Sequence, residues 1–260
     1  MINRPPKVSV VIPVCDDEQY LTQCIESVTS QTLRSIEIIC VEDASNDGSY
    51  ELLLELVRKH PAHKFKIIKH ESRMSASQCR KDGALASEGE YVIFLDSDDY
   101  LEPDTCQLAY ENIVKNRTDI LQYGTVVENC ANVPAWRINL NQKALNPYVG
   151  GVLTGNLLKA CFVEKKFSVN TVNKMFRGDV CRRAFANVED GVFHYAEDLY
   201  ALFNVLLIAR SYSAIDKKLY HYCFGRGSVG KSEIDIETFK HYCQSAKVIE
   251  ALKRTLNDVN

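Results

Sequence analysis

The stretch Glu90-Tyr91-Val92-Ile93-Phe94-Leu95-Asp96-Ser97-Asp98-Asp99 decides how this chain folds. Five apolar residues in succession, Tyr91 to Leu95, are too few for an ordinary helix and suit a strand buried on both faces. The strand runs straight into three carboxylates within four residues. Like charges packed so closely resist burial, so they face solvent or gather round a cation. Asp96 and Asp98 stand two apart, and an extended turn points both at one hard ion such as Mg2+ or Mn2+. A solvated acidic loop is the plain alternative. Its place in the chain argues for a site, because open α/β sheets bind ligands beyond the carboxyl ends of their strands.

Residues 7–14 (KVSVVIPV), 36–41 (IEIICV) and 65–68 are further apolar runs of strand length. Between them, Tyr20, Leu21, Cys24, Ile25 and Val28 fall at helical spacing behind Asp16 or Asp17 as cap, and Leu52, Leu53, Leu56 and Val57 do so behind Ser49. A third helix is expected over 75–87. This alternation of strand and helix predicts an α/β fold, a mostly parallel twisted sheet flanked by helices. Right-handed crossovers then bring Pro13, Asp43 and the Asp96–Asp99 cluster to one edge. The sequence has no GxGxxG after its first strand, so the usual dinucleotide cradle is absent there, and its one GxxxxGK[ST] match, residues 225–232 (GRGSVGKS), lies in a cationic loop far along the chain from that strand. A nucleotide on this sheet would be held through a metal and side chains, which directs attention back to the acidic turn.

Downstream, Pro103 opens a helix to about 116, and 120–127 reads as a strand. The pattern weakens over 128–149, which reads as loop, and a short helix is expected over 157–163. Glu197-Asp198 precedes an apolar helix over 199–209, where two acids suit the positive end of the macrodipole. Then come a strand over 215–222, a cationic loop over 224–231 (FGRGSVGK), and a terminal helix over 233–259. Its stripe of Phe239, Tyr242, Ala246, Ile249, Leu252 and Leu256 is set to pack against the body or a partner.

The composition, 46% hydrophobic and 25% charged, is that of an ordinary globular protein, and a net charge of −3 gives no field that favours nucleic acid. No apolar run approaches a membrane span, and the residues before Val8 are too few and too polar for a signal peptide. The ten cysteines are scattered without a CxxC pair, which points to a reduced, cytoplasmic chain rather than a disulfide or zinc framework.

These segments together resemble family 2 glycosyltransferases of the GT-A fold. KVSVVIPV with Tyr20-Leu21, Cys24-Ile25 and Gln31-Thr32 looks like the family's opening. VEDASNDGS resembles its VDDGSTDGS turn, with Glu42, Ala44 and Asn46 as departures. Cys79-Arg80-Lys81-Asp82-Gly83 resembles its ARNxG helix, with Lys81 in place of Asn, and GEYVIFLDSDD is nearly verbatim. NKMFR followed by Glu197-Asp198-Leu199 resembles the second-half signature. The resemblance implies a nucleotide-sugar half over 1–128, an acceptor-binding and catalytic half over 129–231, and a C-terminal helix over 232–260.

By position it implies the following roles. Pro13, Val14 and Asp43 line the base and ribose pocket, with Asp43 accepting from the uracil imide. Arg80 lies near the base or diphosphate. Asp96 and Asp98 are the DxD pair for Mn2+ or Mg2+, with Ser97 between them, and Asp98 or Asp99 touches the donor sugar. Asp198 is the catalytic base and Glu197 its neighbour toward the acceptor. Arg226, Ser228 and Lys231 close over the diphosphate, and His221 is a further candidate metal ligand, with a structural Tyr-His-Tyr strand end as the favoured reading. The implied activity is inverting transfer from a UDP-sugar to a glycan or glycoconjugate hydroxyl in polysaccharide assembly. The terminal helix offers a route to a homo-oligomer or to the inner face of the membrane. The rival readings are a nucleotidyltransferase, which would carry a Gly-rich loop where this chain has PVCDDEQY, and an inactive nucleotide-sugar-binding homologue.

Overall fold

The computed structural model describes residues 5–191, 193, 196–227 and 245–259. Its first third is the predicted alternation: β1 (Val8–Val14), α1 (Glu18–Thr29), β2 (Ile36–Glu42), α2 (Ser49–Lys59), β3 (Lys64–Lys69), α3 (Ala76–Ala86) and β4 (Tyr91–Phe94). Every residue of β1, β2 and β4 is buried, which is why these strands read as largely apolar runs, with Ser9 donating to Glu37 between β1 and β2 (2.5 Å). β1 pairs in parallel with both β2 and β4, and β2 with β3. Gly83 lets α3 lie close on β1, since a Cβ there would sit 2.2 Å from Val11 Cγ1. Ser75 and Ser87 stand at the two ends of α3 as its caps, and the Ser75 hydroxyl accepts from the Gln78 amide. Asp17 does stand at the N-cap of α1, but its side chain makes no capping bond. Ser49 is the first residue of α2 rather than its cap, and its amide is held by Asp47 (2.9 Å).

After β5 (Tyr100–Leu101) and α4 (Thr105–Asn116) come β6 (Ile120–Asn129), α5 (Ala135–Leu145), β7 (Leu153–Thr154) and a π-helical turn, Lys159–Val163. They are followed by β8 (Lys174–Arg177), α6 (Gly178–Ala186), α7 (Glu197–Ile208), β9 (Ser211–Phe224) and α8 (Ser245–Val259). The described strands form one sheet in the order β3-β2-β1-β4-β8-β6-β9-β5, with β7 joined to β9. β8 runs antiparallel between β4 and β6, so the second half extends the first sheet. Two apolar clusters cover its faces, one containing Phe94, Phe176 and Tyr200, the other Ile12, Ile38 and Met175.

Two expectations give way. The weakly patterned 128–149 contains α5, which buries no residue and therefore carries no periodic apolar stripe to find. In α8 the face turned inward is Val248, Ala251 and Thr255, with Leu252 partly buried, whereas Ile249 is 53% exposed. The predicted stripe is rotated from the true one because small and polar residues line the close approach to α7. Phe239 and Tyr242 lie outside the described residues.

Candidate active site

β4 delivers the acidic turn to the sheet edge, where the Leu95 amide still bonds the Val11 carbonyl (3.0 Å). The four residues that follow then diverge. Ser97 is buried and donates to Asp17 Oδ2 (2.6 Å). Asp99 is buried, accepting from Tyr220 Oη (2.7 Å) and from the Cys223 amide (2.7 Å). Both its oxygens are thus spent on β9, so Asp99 anchors the turn from behind and does not reach a donor sugar. Asp96 and Asp98 remain partly open.

Arg80 joins the two halves. Its guanidinium, 5% exposed, is 2.6 Å from Asp96, 3.5 Å from Asp198 and 3.9 Å from Glu197. α3 carries it, and α7 holds the acidic pair in its first turn behind Ala196 in a left-handed conformation (φ 60°). Arg80 Nε is buried without a hydrogen-bond partner, and Nη1, also without one, reaches Asp198 and Glu197 only at ion-pair distance. Thr171 Oγ1 donates to Asp198 Oδ1. Burial, and then the Asp198 charge, push Glu197 up to about 7, against the opposing pull of Arg80.

A carboxylate raised in the folded state binds more protons folded than unfolded, so it costs stability increasingly as pH rises from its unfolded value toward 7. We expect Glu197→Gln to raise the melting temperature at pH 8 and to raise it less at pH 5, by calorimetric scans at both. A fall at pH 8 would show that the ionised Glu197 holds the fold.

Desolvation, followed by the Asp96 charge, raises Asp98 to about 7. Arg226 lies beside it but donates to the Asp98 carbonyl oxygen (3.4 Å) and to Gln23 (2.8 Å), with its guanidinium over the Tyr20 ring (4.9 Å). Gly227, at φ 64°, brings the backbone so near that a Cβ would meet Asp98 Oδ2 at 2.5 Å. Asp98 makes no ion pair among the described residues and feels only the weaker pull of Arg226, so it fits a hard divalent ion, and the donor set is all oxygen. His221 does not belong to it. Its Nδ1 faces Glu128 (2.8 Å), its Nε2 faces Glu102 (2.7 Å), and its ring stacks on Tyr100. Ser228 and Lys231 lie outside the described residues.

At the end of β1, Pro13 and Val14 are buried, and the Val14 carbonyl accepts from the Asp43 amide (2.9 Å). Asp43 Oδ1 takes His70 Nδ1 (2.7 Å) and the Met74 amide (2.8 Å), while His70 Nε2 faces Asp82 (2.9 Å). These contacts fix the carboxylate's plane and leave Oδ2 for a ligand. Glu42, a departure from the family turn, points inward: Oε1 accepts from the Ser45 amide (2.6 Å) and Oε2 has no partner. Lys81, the other departure, binds the Val188 carbonyl (2.6 Å) and Asp190 (2.5 Å), tying α3 to the loop ahead of the acidic pair.

Asp17, His70, Thr171 and Tyr220 escaped the sequence reading because each meets the site across the fold. The one readable hint was Asp17, an acid beside a helix start.

Residues 9–177 match the family model of glycosyl transferase family 2. The chain belongs to that family. This family 2 chain is 28% identical, over 221 residues, to the "Putative glycosyltransferase EpsH" of Bacillus subtilis (strain 168), covering 84% of this chain and 60% of that protein. It overlays S. aureus TarS 1–349 in complex with UDP-GlcNAc with a TM-score of 0.73 at 21% identity, over 94% of this chain and 66% of that one. It overlays the mannosyltransferase PcManGT from Pyrobaculum calidifontis, in complex with GDP-Man and Mn2+, with a TM-score of 0.59 at 14% identity, over 86% of this chain and 59% of that one. At such identities the likeness to solved structures is one of fold, the GT-A architecture. The chain thus spans about three-fifths of the length of the EpsH relative.

Proposed function

We propose that this chain moves a sugar from a UDP-linked donor to a hydroxyl of a glycan or glycoconjugate, with inversion at the anomeric carbon. One observation carries the reading: a single guanidinium, Arg80, lies 2.6 Å from Asp96 and 3.5 Å from Asp198. The carboxylates suited to a metal-bound diphosphate and the carboxylate suited to an incoming hydroxyl are therefore one side chain apart. Asp96 and Asp98 would hold Mn2+ or Mg2+, and the ion, when bound with the donor, neutralises charge on the departing diphosphate. Arg80, whose Nε has no hydrogen-bond partner, binds the same diphosphate. Asp198 accepts the acceptor's proton at Oδ2, while Thr171 holds Oδ1. Attack from the face opposite the diphosphate gives inversion in a single displacement. The UDP-GlcNAc bound to TarS and the Mn2+ bound to PcManGT support this choice of ligands.

Asp43 gives the base preference. An imide N–H meeting its charged oxygen adds about 1.5–3 kcal/mol, so UDP binds about tenfold or more tightly than ADP or GDP. Calorimetry of the three diphosphates with Mn2+ tests this, alongside donor hydrolysis without acceptor. Equal affinities reject the base assignment, and absence of any Mn2+-dependent nucleotide binding rejects the reading as a whole.

A further inference from the structure

Between β6 and β8, residues 131–170 differ from the rest of the chain. They carry Arg137, Lys143, Lys159, Lys165 and Lys166 against one carboxylate, Glu164, whereas the whole chain has a net charge of −3. The same segment holds Trp136, Leu140, Val149, Val152 and Val163, which are 67%, 61%, 53%, 51% and 71% exposed. Among the described residues four other large hydrophobic side chains are exposed, Leu85 and Val114 singly and Ile249 and Leu256 on α8.

α5 explains part of this. It is tethered by polar contacts instead of an apolar face: Gln142 donates to the Thr125 carbonyl (2.7 Å) and accepts from the Val127 amide (3.1 Å), and Arg137 lies over the Phe224 ring. Trp136 and Leu140, one turn apart, share a helix face, and that face is turned to solvent. The chain then follows the same flank of the sheet down to β7, which pairs with Tyr212 of β9. Lys143, Lys159 and Lys165 are exposed along the way.

We propose that this flank docks on an anionic lipid surface, with Trp136 and Leu140 entering the headgroup boundary and the lysines meeting lipid phosphates. An exposed tryptophan and leucine with lysines nearby in the chain suit the headgroup boundary of an anionic bilayer, where amphipathic rings settle and cations meet lipid phosphate. A second copy fits less well. A two-fold contact sets a patch against itself, and here it would bring the basic cluster of each copy together. An anionic bilayer is complementary in both charge and apolar content. The inference does not depend on the transfer chemistry.

Trp136 is the only tryptophan of the chain, so its fluorescence reports this contact directly. The full chain, mixed with phosphatidylglycerol vesicles, should shift its emission to the blue and co-sediment with them. Phosphatidylcholine vesicles should do neither, and brominated acyl chains should quench the emission. Lys143→Glu with Lys165→Glu should weaken partitioning about tenfold or more. Trp136→Ser with Leu140→Ser, read by sedimentation, should weaken it too, with unchanged melting temperatures showing that both variants fold. An unshifted emission with anionic vesicles overturns the proposal. So does binding that the charge reversals leave intact, or a blue shift without lipid that rises with protein concentration together with the mass by light scattering, which would assign the flank to a second copy.

Discussion

Asp98→Ala abolishes transfer, by roughly a thousandfold or more if a divalent ion contributes its usual several kcal/mol, and leaves the fold standing. Asp98 lies against Asp96 and Asp17, and burial with those charges lifts it to about 7. Such a group gains its ionised form from a cation, so removing it removes the affinity for the ion. The other residues of the turn do not depend on it. Ser97 holds Asp17, and Asp99 holds Tyr220 and the Cys223 amide. The melting temperature of the metal-free variant at pH 8 should therefore equal or exceed that of the parent, because a disfavoured anion is gone. Asp99→Ala should behave in the opposite sense, losing stability first by leaving the buried Tyr220 hydroxyl without an acceptor and the Cys223 amide without its partner. Nucleotide titration with Mn2+ and then with EDTA decides the case. Parent-like UDP affinity in EDTA would mean that the diphosphate is held by Arg80 and the loop around Arg226 without a metal.

The contrast between Asp98 and Asp99 shows where sequence reading stops. β1, β2 and β4 were legible because strands buried on both faces are mostly apolar, with Ser9 and Glu37 the exceptions inside them, held by each other. The acidic turn was legible as a cluster, but which carboxylate faces out was not. That is set by Tyr220 and Cys223, more than a hundred residues away in β9. His221 reads first as a structural strand end, but its partners could not be read, because Glu102 and Glu128 are brought to it by the pairing of β5 and β6 with β9. Arg80 was placed near the donor by resemblance alone, and only the packing of α3 beside α7 reveals that it also touches the acidic pair. α5 was missed because its contacts to β6 are polar, and α8 was misoriented because Ala251 and Thr255 line its buried side.

Asp198→Asn is expected to lower the rate of transfer by roughly a hundredfold or more, the usual weight of a positioned base, with donor binding close to normal. Asparagine keeps an oxygen for Thr171 and the bulk of the side chain, so α7 and its neighbours hold their places. It cannot accept the proton of an attacking hydroxyl. The loss should fall on kcat rather than on donor KM, because the missing interaction matures only as the proton moves. Glu197 supplies an independent readout. Burial and the Asp198 charge, in that order, raise it to about 7, so Asp198→Asn removes one of the two causes and Glu197 should titrate lower. In the parent, activity should climb as pH rises through about 7, where Glu197 ionises beside the base. In Asp198→Asn the residual activity should lose that limb or carry it to lower pH, while Glu197→Gln should keep most of its transfer rate. Steady-state rates across pH 5–9 for the parent and both variants separate the possibilities. If Glu197→Gln loses the rate and Asp198→Asn keeps it, the base is Glu197. If neither variant changes kcat, the pair serves only to cap α7 and balance Arg80, and the proton must leave by another group.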